Sequence, residues 1–188
     1  LNDIRTWLEI LSQAEHDTLA CSILLTPSQD IAEKVAVEVD KQLAKLSRNE
    51  IAKKSIESYG RIVVTETMEE AIDLANEIAP EHLELAVENP FDYLNKIRNA
   101  GAIFLGEYSP EPLGDYFAGP NHTLPTSGTA KFASPLSVDA FIKKSSVIYY
   151  TREALSSVKD KIIRIAESET LTAHANSIRV RFESDEDE

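Results

Sequence analysis

Apolar residues recur at helical spacing from the start of the chain, at Ile4, Trp7, Leu8 and Leu11, and the pattern continues through Gln13 and His16. Ser22-Ile23-Leu24-Leu25 reads as a short buried strand. Thr26-Pro27-Ser28-Gln29 has the form of a helix start, with a Thr cap, a Pro at the first helical position and a Gln reaching back. Ile31, Val35, Val39 and Leu43 then give that helix one apolar stripe. Ser47-Arg48-Asn49-Glu50 opens a further helix that Gly60 can end, and Arg61 to Thr65 is a strand. Thr67-Met68-Glu69-Glu70 caps a third helix that must stop near Pro80. Leu83 to Val87 is strand-like, Asn89-Pro90 starts a short helix, and Ala102 to Leu105 is another buried strand.

Strands alternating with helices of this size predict an α/β layer fold with a mostly parallel sheet. The alternation breaks between Gly106 and Pro135, which holds four of the six glycines and five of the eight prolines. So long an irregular stretch inside a domain points to function. Beyond it, Ser146 to Tyr150 reads as a strand, Thr151 to Ser168 as a helix and Ile178 to Phe182 as a last strand. The expected organisation is an α/β domain over residues 1–140, a small C-terminal helical unit over 141–182, and an acidic tail over 183–188.

Composition narrows the function. The chain has 188 residues, enough to bury roughly 70% of its unfolded surface without disulfides, and Cys21 is its one cysteine. The net charge of -13 argues against a nucleic-acid or anionic-membrane surface, since phosphates recruit Lys and Arg. Five acids fall in the last six residues, which reads as a solvated, disordered tail. Glu66 to Asp92 is a different case, with nine acids and no Lys or Arg inside a patterned region. No stretch is long and apolar enough to span a membrane. The opening Leu1-Asn2-Asp3-Ile4-Arg5 lacks the form of a signal peptide and has no initiator Met, so a piece of a longer polypeptide is expected.

The candidates for chemistry centre on four histidines, His16, His82, His122 and His174, which no short metal-binding motif joins. Gln13 and His16 leave one helix face and fit either a ligand pair or a polar surface. Glu81 and His82 follow Pro80 at a strand start, a carboxylate beside an imidazole that suits acid/base work, although the dipeptide is common. Asp115, between Gly114 and Tyr116, is either a turn former or a ligand in a loop stiffened by prolines. His174 follows a predicted helix and, alone, reads as an exposed helical residue.

Six ordered segments together resemble the C-terminal half of histidinol dehydrogenase. They are Ser12-Gln13-Ala14-Glu15-His16, Ala79-Pro80-Glu81-His82-Leu83-Glu84, Gly101 to Gly106, Leu113-Gly114-Asp115-Tyr116, Gly119 to Gly128, and Leu171-Thr172-Ala173-His174-Ala175. The resemblance runs from about Leu11 to Val180. It implies an incomplete Rossmann-like layered domain and a cytoplasmic enzyme that oxidises L-histidinol to L-histidine in two steps, with zinc and two NAD. It further implies Gln13, His16, Asp115 and His174 as zinc ligands, His82 as general base, and Glu81 as the residue that activates water for the second oxidation. His122 and Glu169 match positions lining the substrate pocket. In the family, Glu169 and His174 complete the site of a neighbouring subunit, so a homodimer is expected.

The sequence has no GxGxxG, and the family's upstream half, with its dinucleotide contacts, has no counterpart here. A fragment inactive by itself is therefore expected. Two other readings remain open at this stage: a non-catalytic ligand-binding or dimerisation module that keeps the enzyme's fold, and a zinc hydrolase that needs no NAD.

Overall fold

The computed structural model describes residues 9–183; the expectations for Ile4 to Leu8 and for the tail beyond Glu183 fall outside them. The chain divides into two compact units, Leu1–Ile142 and Lys143–Glu188.

In the first unit the order is α1 (Glu9–Ala14), β1 (Ile23–Thr26), α2 (Gln29–Leu43), α3 (Asn49–Tyr59), β2 (Arg61–Val64) and α4 (Met68–Ile78). β3 (His82–Leu85), α5 (Phe91–Leu94), β4 (Ala102–Leu105) and α6 (Glu111–Tyr116) follow. The strands form two separate parallel pairs, with Ile23 opposite Arg61 in the first and His82 opposite Ala102 in the second. The parallel α/β layering expected from the alternation is present, but as two pairs rather than one sheet.

The apolar stripe of α2 supplies the core: Val35 and Val39 pack with Leu11 and Leu24, flanked by Ile10, Ile31, Leu43, Leu46 and Ile56. The cap of α2 is Ser28, whose Oγ accepts from the Ile31 N–H, while Thr26 is the last residue of β1. Thr26 was expected to cap the helix; Pro27 instead precedes the cap, and the Thr26 hydroxyl accepts from the Ser28 N–H. At α3 the cap position falls on Arg48 with no side-chain bond, so Ser47 does not cap it. Thr67 caps α4 as its sequence predicts, accepting from the Glu70 N–H.

Three local features fix the entry to β3. α4 ends on Ala79 in the left-handed conformation (φ 52°), and Pro80 follows. Buried Asn76 ties α4 to the turn before β4: its Oδ1 accepts from the Arg98 and Asn99 N–H groups, and its Nδ2 donates to the Lys96 carbonyl. Gly101 donates its N–H to the Pro80 carbonyl, and Ala102 to that of Glu81. A Cβ on Gly101 would stand 2.5 Å from the Glu81 carbonyl oxygen, which explains the glycine.

The second unit pairs α7 (Arg152–Ser168) with α8 (Thr172–Arg179) around buried Ala166 and Ala175. Arg179 pairs with Glu167, and Phe182 lies under the cations of Arg152 and Lys159. Two expected strands are absent here. Ser146–Tyr150 is irregular, with Val147 92% exposed, because no neighbouring strand among the described residues takes up its edge. Ile178 and Arg179 end α8, where the apolar alternation of Ile178 to Phe182 yields to continued helix.

Candidate active site

The site gathers on β3 and α6. β3 places His82 and Glu84 on one face at the two-residue spacing of a strand. α6 places Glu111 and Asp115 on one face, one turn apart. Asp115 was expected in a loop; it lies on a helix because Pro112 fits the first turn, where its missing N–H costs nothing. Gly114 lets this helix close on β4, since a Cβ there would come within 2.6 Å of the Phe104 ring. The same ring lies 6.0 Å from that of His82.

One ligand atom each from His82, Glu111 and Asp115 falls within 4.8 Å of the others. His82 is half-buried, and its Nε2 is cut off from solvent without a hydrogen-bond partner. Glu111 is 8% exposed; its Oε2 accepts from the Ser12 hydroxyl at 3.4 Å, and its N–H donates to Glu84 at 2.9 Å. Burial first, then Asp115 through charge and a shared hydrogen bond, hold the Glu111 carboxyl above the usual carboxylate range, against a downward pull from His82 and His16. Glu84 is pushed up to about 7, chiefly by burial and next by the Glu9 charge. Glu9 is raised too, by burial and then by Glu111, and its Oε2 has no hydrogen-bond partner.

These carboxyls border a cavity of about 590 Å³ whose wall also carries Gln13, Glu81 and His82. Of the four expected zinc ligands, Asp115 belongs to the close cluster, Gln13 lies on the cavity wall, and His16 acts on Glu111 through its charge. His174 on α8 and Glu169 at the end of α7 belong to the second unit, both exposed. His122 is exposed in the irregular segment after α6.

Sequence reasoning missed Glu84 and Glu111. The signals were an i, i+2 pair with His82 and an i, i+4 pair with Asp115, the second hidden by reading a proline-rich helix as a loop. Nitrogen and oxygen donors without a thiolate fit a metal of the zinc kind.

Residues 6–182 match the family model for histidinol dehydrogenase. The chain belongs to the histidinol dehydrogenase family. It is 62% identical over 177 residues to histidinol dehydrogenase of Caldanaerobacter subterraneus subsp. tengcongensis, covering 94% of this chain and 41% of that protein. The enzyme of Clostridium acetobutylicum is 59% identical over 174 residues, covering 93% and 40%. The crystal structure of histidinol dehydrogenase from Elizabethkingia anophelis superimposes with a TM-score of 0.83 at 39% identity, covering 95% of this chain and 41% of that one. The chain thus spans about two fifths of the length of these relatives. Among the described residues no helix is long and apolar enough to cross a membrane.

Proposed function

We propose that this chain is the zinc- and substrate-binding part of a histidinol dehydrogenase, which converts L-histidinol to L-histidine together with the remainder of the polypeptide. One observation carries the reading: His82, immediately after Glu81, has a buried Nε2 without a hydrogen-bond partner, in a residue clustered with Glu111 and Asp115. A base must reach its proton with a free nitrogen in a site that excludes water, and His82 offers one.

In the first oxidation, His82 takes the hydroxyl proton of the alcohol while the carbinol hydrogen leaves as hydride to the nicotinamide, giving the aldehyde. Glu81 then takes a proton from the water that adds to the aldehyde. The hydrate loses a second hydride to a second NAD, and the resulting acid releases its remaining proton to solvent to leave the carboxylate. Zinc held by Gln13, His16, Asp115 and a His174 would supply charge and orientation to the imidazole and amine of the substrate. His174 and Glu169 come from a partner subunit in this reading, so a homodimer completes the site, with His122 and Glu169 lining the pocket. NAD contacts come from the rest of the polypeptide, and the enzyme works in the cytoplasm, in histidine biosynthesis.

The test is zinc titration of this chain against a chromophoric chelator, followed by an assay of histidinol-dependent NAD reduction after adding the rest of a related enzyme. The reading expects zinc binding that weakens in Asp115→Asn, and activity in the mixture that disappears in His82→Asn. Zinc binding indifferent to Asp115, or activity indifferent to His82, would sink it.

A further inference from the structure

α6 carries Asp115 yet buries almost nothing apolar. Glu111 is its sole buried residue, while Leu113 is 38% exposed and Tyr116 83%. Hydrophobic packing therefore does little to place this helix, and its position falls to a few specific contacts. The start of the helix lacks a local cap. Its cap position is Pro110, which offers no side-chain acceptor, and Pro112 has no N–H. The Leu113 N–H turns back to the Pro110 carbonyl at 3.0 Å. That leaves the Glu111 N–H, and Glu84 supplies its acceptor from β3, with Oε1 at 2.9 Å. A carboxyl from a different element thus does for α6 what a capping Ser or Asp does for other helices.

The strand that carries Glu84 also carries His82, two residues earlier on the same face. Glu84 lies opposite Phe104 in the β3–β4 register, and Phe104 is the ring that Gly114 lets α6 approach. The two contacts are therefore neighbours on the sheet, one holding the helix at Glu111 and the other at Gly114. Asp115 follows directly, with a carboxylate oxygen within 4.8 Å of the ligand atoms of His82 and Glu111. Burial, and then the Glu9 charge, oppose a carboxylate at position 84, so an apolar residue would be the less costly occupant if it only filled space. We propose that Glu84 is a positioning residue: by holding the first N–H of α6 to β3, it sets the Asp115 carboxylate against His82 at the metal site. The proposal rests on the functional reading above and names what fixes one of its ligands.

The experiment loads this chain with cobalt(II), whose visible absorption reports the arrangement of its ligands, and measures affinity by chelator competition. Two variants of nearly the same shape are compared: Glu84→Gln keeps an acceptor oxygen, and Glu84→Met does not. Glu84→Met should weaken cobalt binding by about tenfold, the scale of losing a support behind a metal ligand, and should change the band of the bound ion. Glu84→Gln should match the parent in both. In an Asp115→Asn background Glu84→Met should cost nothing further, because an effect relayed through Asp115 has nothing left to act on. Circular dichroism of the metal-free chains should show each variant folded, and the band at saturating cobalt reads folded, loaded protein alone. Equal affinity in the parent and Glu84→Met, a Glu84→Gln chain as weak as Glu84→Met, or the same loss in the Asp115→Asn background would each overturn the proposal. Cobalt binding through Asp115, and the functional reading with it, would survive those outcomes. A parent that binds no cobalt, or binds it no more tightly than Asp115→Asn, would instead defeat the functional reading and the proposal together.

Discussion

Gly101 and Glu81 are in backbone contact: a methyl group on Gly101 would lie 2.5 Å from the Glu81 carbonyl oxygen, and the neighbouring Ala102 N–H donates to that same oxygen at 2.8 Å. The position of the Glu81-His82 dipeptide therefore depends on a missing side chain across the sheet. Gly101→Ala should cost about 2 kcal/mol, in the range of overpacked interiors, because backbone rather than a flexible side chain must move. Urea unfolding checks the cost, and an unchanged midpoint would show that β3 shifts freely.

Gly114→Ala tests the seat of α6. The added methyl meets the Phe104 ring at 2.6 Å, and either the ring moves toward His82 or Asp115 moves with the helix. Zinc affinity should fall by about tenfold while helix content stays as before. Chelator competition beside circular dichroism reads both.

Buried carboxyls give the isolated chain an unusual pH dependence. Glu84 has its carboxyl raised from 4.5 to about 7, so between those values the folded state holds a proton that the unfolded chain has released. Stability must then fall as pH rises from about 4.5 to 7. Glu9 and Glu111 are raised as well and push in the same direction. The Glu84 share is about 2 kcal/mol after allowance for its partial exposure. Glu84→Gln should remove that share and make the chain more stable than the parent at pH 8. Melting temperatures across pH 5 to 8 decide it, and parallel curves for both proteins would contradict the assignment.

Asn76→Ala should be among the most damaging single changes outside the site. It strips two backbone N–H groups, on Arg98 and Asn99, of their acceptor in a part-buried turn. Unsatisfied donors of this kind cost about 1–3 kcal/mol each, so a loss of about 3 kcal/mol is expected. Thermal unfolding measures it, and a loss below 1 kcal/mol would mean that water takes over both bonds.

Much of this architecture was legible in the residues because local signals and burial agreed there. Ile31, Val35, Val39 and Leu43 announced α2, and the Thr67 cap and Pro80 bracketed α4. Where the reading failed, a distant partner decided the outcome. Ser146–Tyr150 has the composition of a strand yet finds no neighbour among the described residues, and composition cannot report whether a neighbour exists. The split of the sheet into two pairs is likewise a matter of which strands meet. Within the site, the sequence pointed to Glu81, His82 and Asp115, which lie on the cavity wall or in the close cluster, but Glu111 was hidden by its flanking prolines. Glu84 was hidden because burial, and next the charge of Glu9 from a distant part of the chain, raise an ordinary strand glutamate to about 7.

The corner from Ala79 to His82 carries a last consequence. A left-handed alanine, a proline ring and two hydrogen bonds from the opposite strand leave that stretch of main chain almost no freedom. The entropy of ordering Glu81 and His82 is thus spent when the chain folds rather than when a ligand arrives. What remains to be frozen at binding is side-chain rotation alone, so each contact these residues make can appear nearly undiminished as affinity.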